Sequence, residues 1–270
     1  SILSKKTKRK EARTRFDVIF DTINLIFVLL VIFLCAYPIY YTLIASLSDP
    51  TAVITGKVFV WPVDFTLDSY RSVLAYSSVW TGYRNTIFYT ALGTLYNLFL
   101  LLPASYALSR RQLKGRGLLT GFFIFTMYFS GGTVPFYLLI KSLRLIDNPA
   151  VMIIPGAFSV YNMIITRTNF SNFSESLREA AIVDGASELR VFLRIVLPLS
   201  GAIVSVMALY HAVGHWNSYF NALLFLNNSD LFPLQLVMRQ VLLMNQSLTV
   251  NTEGMSTEAL ADLLRRQRLA

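Results

Sequence analysis

An all-α membrane protein is the fold class this sequence predicts, on three observations. Hydrophobic residues make up 54% of its 270 residues and charged residues only 14%, against about a quarter charged in a soluble domain. Five long runs carry no charge at all: Asn24 to Ile44, Thr86 to Ser109, Leu118 to Ile140, Ala150 to Thr166 and Ile195 to Leu226. A charge at the bilayer centre costs about 2.5–3.5 kcal/mol, so each run is a candidate span. Finally, seven of the 24 lysines and arginines (Lys5, Lys6, Lys8, Arg9, Lys10, Arg13 and Arg15) precede the first run. That crowding beside a span marks the cytoplasmic side, and it accounts for the net charge of +9 without nucleic acid.

Taken in order, residues 1–17 read as a basic cytoplasmic segment and residues 18–226 as the transmembrane domain. The first run has 21 residues with no cleavage site after it, too long for a signal-peptide core, so it is a retained anchor. Its Cys35 is the single cysteine, which excludes a disulfide framework and a cysteine-based metal site. Ser46 to Arg84 is a polar loop whose Trp61, Tyr70, Tyr76 and Trp80 suit the membrane interface. Arg110, Arg111, Lys114 and Arg116 follow the second run and place that short loop inside. The third run contains Gly131-Gly132 and Pro135, and the fourth Pro155-Gly156. Such breaks either line a cavity or ease packing between helices. Residues 227–270 read as an extracytoplasmic segment: Leu231 to Met244 is too short and polar to span, and Thr257 to Ala270 is amphipathic and basic. With the amino terminus inside, fifteen of the 24 basic residues fall on the cytoplasmic side.

Between the fourth and fifth runs lies a mostly polar island, Glu179 to Pro198. Ser176 followed by Glu179 has capping-box spacing, and Leu177, Ala180, Ala181 and Val183 supply an apolar stripe. Asp184-Gly185 ends that helix, Ser187 caps a second, and Glu188 stands in its first turn. Glu179-Ala180-Ala181, then Gly185, Ile195 and Leu197-Pro198, resemble the EAA loop of the membrane subunit of bacterial ATP-binding-cassette importers. The resemblance implies a type I importer transmembrane fold in the cytoplasmic (inner) membrane. It makes residues 170–194 the coupling loop, with Glu179, Ala180, Ala181, Asp184, Gly185, Ile195, Leu197 and Pro198 seated in or bracing a cleft on the ATPase. One position departs from the pattern: relatives often carry a second acid where this chain has Arg178.

Asn85-Thr86, Ala104 to Ala107 with Arg110, Lys114 to Arg116, Asp184 to Ala186 and Trp216-Asn217 resemble the carbohydrate branch of those importers, the maltose type. Phe129 to Pro135 and Gly214 to Asn221 are similar to permeases for complex oligosaccharides such as aldouronate or alginate fragments. The implied partners are a second, related permease, two ATPase subunits that bind ATP and Mg, and an extracytoplasmic sugar-binding protein. No cofactor is implied on this chain. Members usually have a sixth span; residues 227–270 supply none, and truncation is the expectation.

Sugars are held by hydrogen bonds and aromatic faces, and Tyr128, Tyr161, Asn162, Trp216, Asn217, Tyr219 and Asn221 are candidates for the pathway. An interfacial aromatic belt is the competing reading for the same rings. No Lys or Arg lies inside a run, so an acidic sugar gets no support. His211 and His215 are four apart but lack a third ligand, and Gly214 lies between them, so no metal site is expected. No phosphate-binding glycine loop and no nucleophile with an oriented base is present, which excludes an enzyme. A secondary transporter would carry internal repeats and ionisable residues in its spans, and neither is evident. An importer of another solute class remains the rival within transport.

Overall fold

The computed structural model describes residues 15–252, with side chains described through Leu243. Nearly all of the basic amino-terminal segment, and Thr257 to Ala270, lie outside the described residues. Every regular element among the described residues is helical, and they fall into two compact units that divide between Ala75 and Tyr76.

The first unit holds α1 (Arg15–Ser46), α2 (Pro50–Ile54) and α3 (Asp68–Ala75). Apolar side chains are exposed all round α1, Phe27 at 62% and Phe33 at 67%, as expected of a helix whose solvent is lipid. Its end is tied down by Ser48, whose hydroxyl donates to the Ile44 carbonyl at 2.7 Å and accepts from the Val63 amide at 3.2 Å. Asp49 then caps α2, accepting from the Thr51 amide at 2.8 Å, with Pro50 in the first turn where its missing N–H is harmless. Ile44, Ala52 and Val58 form the small core.

The second unit is built on α4 (Ser77–Ser109), followed by α5 (Arg116–Tyr128), α6 (Thr133–Ser142), a 3-10 turn at Pro149–Met152 and α7 (Val160–Ser171). Then come α8 (Glu175–Val183), α9 (Glu188–Val191), a π-helical turn at Phe192–Val196, α10 (Leu197–Leu199), α11 (Gly201–Trp216), α12 (Phe220–Phe225) and α13 (Leu234–Thr252). Along its length α4 contributes to three apolar clusters in succession: Tyr89 with Phe225 and Leu236, Leu101 with Met163 and Met207, and Tyr106 with Phe170 and Phe192.

Helix continuity differs from the charge-free runs. Among the described residues two helices, α1 and α4, are long and apolar enough to cross a membrane, or up to four spans if each bent pair is one. The third run breaks by 111° between α5 and α6, where Gly132 takes φ +83°. The fourth run is helical only in the 3-10 turn and from Val160, with irregular backbone between. The fifth bends by 83° between α10 and α11. Charge-free composition marks where a chain is apolar, whereas glycine and proline decide where it stays helical. The segment after Leu226 is pinned to α4. Asn85 donates to the carbonyls of Asp230 and Phe232 at 2.7 and 3.1 Å, and the Leu234 amide donates to the Thr86 hydroxyl at 2.8 Å. Gly82 permits this approach, since a Cβ there would stand 3.0 Å from Leu234 Cα.

Candidate functional site

The turn between α8 and α9 is closed by backbone geometry. Gly185 adopts φ +84° and donates to the Ile182 carbonyl at 2.9 Å, while the Ala186 amide donates to Ala181 at 2.9 Å. These two bonds are a Schellman motif, which needs a residue tolerant of the left-handed region at its centre. The Ser187 hydroxyl then accepts from the Arg190 amide at 3.4 Å, capping α9. At the other end, the capping box read at Ser176 and Glu179 does not form. The helix starts two residues earlier, at Glu175 with Ser174 before it, and the hydroxyls of Ser174 and Ser176 bond each other at 2.7 Å.

Beneath the turn lies a charged network centred on Arg178, which is 6% exposed. Its guanidinium reaches Glu175 at 3.1 Å, Glu188 at 2.9 Å and the Gln112 side-chain oxygen at 2.6 Å. Glu188 also accepts from the Tyr106 hydroxyl at 2.9 Å. Glu175 is paired with Arg110 at 3.2 Å, and Arg110 lies over the Tyr106 ring at 4.6 Å. One fork-shaped cation therefore joins α8, α9 and the loop after α4, a geometry that suits arginine and not lysine. The sequence registered Arg178 only as a departure. Its i,i+3 spacing from Glu175 was a readable signal; Glu188, beyond the glycine turn, and Tyr106, on α4, were not.

Around this network the predicted residues sort into two groups. Ala181, Ile195 and Leu197 pack on the cluster of Phe170, Val191 and Val196. Glu179, Ala180, Asp184, Gly185 and Pro198 are exposed, and Glu179 makes no ion pair among the described residues. Val183 at 86% and Leu189 at 66% are exposed beside them. A rigid turn thus presents one carboxylate and a small apolar surface outward, the features of a docking face.

The second feature is a polar cavity of about 220 Å³, lined in part by Asn97, His211, His215 and Asn221. Of the predicted pathway residues, Asn221 lines it and Asn162 bonds His211 at 3.3 Å. Asn217 donates to the Val213 carbonyl and accepts from Gln235, while Tyr219 lies 5.2 Å under the Arg239 guanidinium. Trp216 is 37% exposed, and Tyr128 and Tyr161 are exposed at 73% and 59%. Asn97 was not anticipated: its only signal was an amide in the middle of an apolar run. Among the described residues no group of three metal-ligating side chains occurs.

A chain that is all-helical among the described residues, with exposed apolar helices, bent helix pairs and a stapled polar turn, is a membrane permease component. It belongs to the family of binding-protein-dependent transport system inner membrane components, whose model matches residues 75–252. It is 38% identical to the protein LplC of Bacillus subtilis (strain 168) over 242 residues, 90% of this chain and 82% of that one. It is 36% identical over 230 residues to the polygalacturonan/rhamnogalacturonan transport system permease protein YtcP of the same organism, covering 85% and 80%. Among solved structures, it matches a chain in the crystal structure of a bacterial ABC transporter involved in the import of the acidic polysaccharide alginate. That match has a TM-score of 0.84 and 33% identity, covering 94% of this chain and 88% of the other. The fold is that of a type I ABC permease, and these relatives are transporter subunits, not enzymes.

Proposed function

We propose that this chain is the permease subunit of an ATP-driven importer of a sugar or oligosaccharide, and that the α8–α9 turn couples it to ATP hydrolysis on separate subunits. The observation that carries the coupling role is the division of labour in the turn. Arg178 locks it from beneath, and Glu179 is left exposed without an ion pair among the described residues. A rigid element with an exposed acid is suited to a basic cleft on a partner. The carbohydrate reading rests on the relatives: YtcP, the alginate importer, and the arabinooligosaccharides transport system permease protein AraQ of Halalkalibacterium halodurans, 25% identical over 207 residues.

The assembly then contains a second permease, two ATPase subunits holding ATP and Mg, and an extracytoplasmic binding protein. The amino terminus is cytoplasmic, five spans form residues 18–226, and residues 170–194 face the ATPase. Closure of the ATPase pair moves the turn as one body. Glu188, bonded to Tyr106, passes that movement to α4, so the pathway opens outward to receive sugar from the binding protein.

Purification of the tagged protein in mild detergent, with mass spectrometry of what accompanies it, tests the assembly. An ATPase and a second permease should co-purify, and Gly185→Pro should release the ATPase. A chain recovered alone or as a homo-oligomer would contradict the proposal.

A further inference from the structure

Asn97 stands near the middle of α4 and is 2% exposed. Its amide nitrogen donates to the Gly156 carbonyl at 3.1 Å and to His211 Nδ1 at 2.7 Å, and its oxygen faces His215 Nε2 at 3.4 Å. The Gly156 carbonyl can only accept, which fixes the orientation of the Asn97 amide. His211 Nδ1 is therefore an acceptor, and the Asn162 side-chain amide nitrogen lies 3.3 Å from its Nε2. The order of these groups leaves a cavity of about 220 Å³, completed by Ser218 and Asn221, with no carboxylate, lysine or arginine in its lining.

Two features separate this cavity from ordinary packing. Irregular backbone between the 3-10 turn and α7 borders it through Gly156, and non-helical backbone at membrane depth is sustained where it is buried in protein or lines a cavity. Gly93 lets the His215 ring lie against α4, since a Cβ there would fall 2.8 Å from the ring Cδ2 and nearer still to Nε2.

We propose that this cavity is a binding subsite, contributed by this chain, for one ring of the transported saccharide, held by its hydroxyl groups. A sugar hydroxyl donates and accepts at once, and a lining of amides, a serine and imidazoles offers both roles without a carboxylate, lysine or arginine. The volume is below the range of about 300–1,000 Å³ for drug-sized ligands and suits a single ring, with the rest of an oligosaccharide outside. The subsite rests on the carbohydrate reading above.

The test uses the assembled transporter with its binding protein in proteoliposomes, with labelled oligosaccharides of galacturonate, arabinose and glucose as probes. Ser218→Ala and Asn221→Ala remove half-buried lining groups outside the Asn97 network. Each should raise KM for the imported probe about fivefold, the size of one neutral hydrogen bond. Asn221→Gln, which keeps the amide, should recover part of the loss and guards against a folding defect. Import with KM within about twofold of the parent in both alanine variants overturns the subsite and leaves the carbohydrate reading standing. Import of none of the probes by the parent transporter overturns both.

Discussion

Arg178 meets Glu188 at 2.9 Å across the Gly185 turn, and Glu188 in turn accepts from Tyr106 of α4 at 2.9 Å. Two short helices that would otherwise swing about one glycine are thereby held at a fixed angle and joined to the longest helix of their unit. Arg178→Leu should lower stability by about 1–2 kcal/mol. That is short of the 3–5 for a fully buried pair, because the Glu175 and Glu188 side chains keep 47% and 51% exposure. Arg178→Lys should recover only part of it, a single ammonium being unable to span Glu175, Glu188 and Gln112 together. Thermal unfolding in detergent, with the ratio of transport to ATP hydrolysis, measures both effects; equal behaviour of all three proteins would remove the staple from the account.

Gly185 bears the turn itself. With φ +84° and open space where a Cβ would stand, Gly185→Ala should cost about 1 kcal/mol through backbone strain alone. Gly185→Pro also loses the bond to Ile182 and should cost several times more. Thermal shifts of the two variants check the order.

The His215 ring seated on α4 makes Gly93 intolerant. Gly93→Ala should destabilise by about 1–3 kcal/mol, the usual range for overpacking. Gly117→Ala, at a helical site with nothing within 4 Å, should be neutral or stabilising by up to about 1 kcal/mol. A Gly93 variant as stable as the Gly117 variant would mean that the ring lies elsewhere.

Asn85 holds the residues before α13 through two carbonyls. Asn85→Ala should raise amide hydrogen exchange in residues 229–236, at a cost of about 1–3 kcal/mol for carbonyls left unpaired. Unaltered exchange would show that Thr86 and Tyr89 suffice.

The helical class and the two-helix turn at Gly185 were legible because they depend on local signals: charge-free runs, Asp184-Gly185, and Ser187 before Glu188. The capping box misled because Ser174 stands two residues before Ser176 and offers an earlier start. Gly131-Gly132, Pro135 and Pro155-Gly156 marked where the third and fourth runs break, but hydropathy could not give the 111° bend at Gly132 or the irregular stretch around Gly156. Contacts between residues far apart in sequence were out of reach. Arg178 with Gln112, Glu188 with Tyr106, and His211 with Asn97 lie 66, 82 and 114 residues apart, and no periodicity reports such pairs.

The most direct measurement of the coupling claim is sugar uptake by the assembled transporter carrying Glu179→Lys, with membrane insertion confirmed by surface labelling. Glu179 is exposed and makes no ion pair among the described residues, so the substitution leaves the fold intact while reversing the charge offered to the ATPase. The account predicts normal insertion, loss of uptake by at least about tenfold, and weakened recovery of the ATPase on purification. Uptake at the parent rate, with the ATPase still bound, would contradict it.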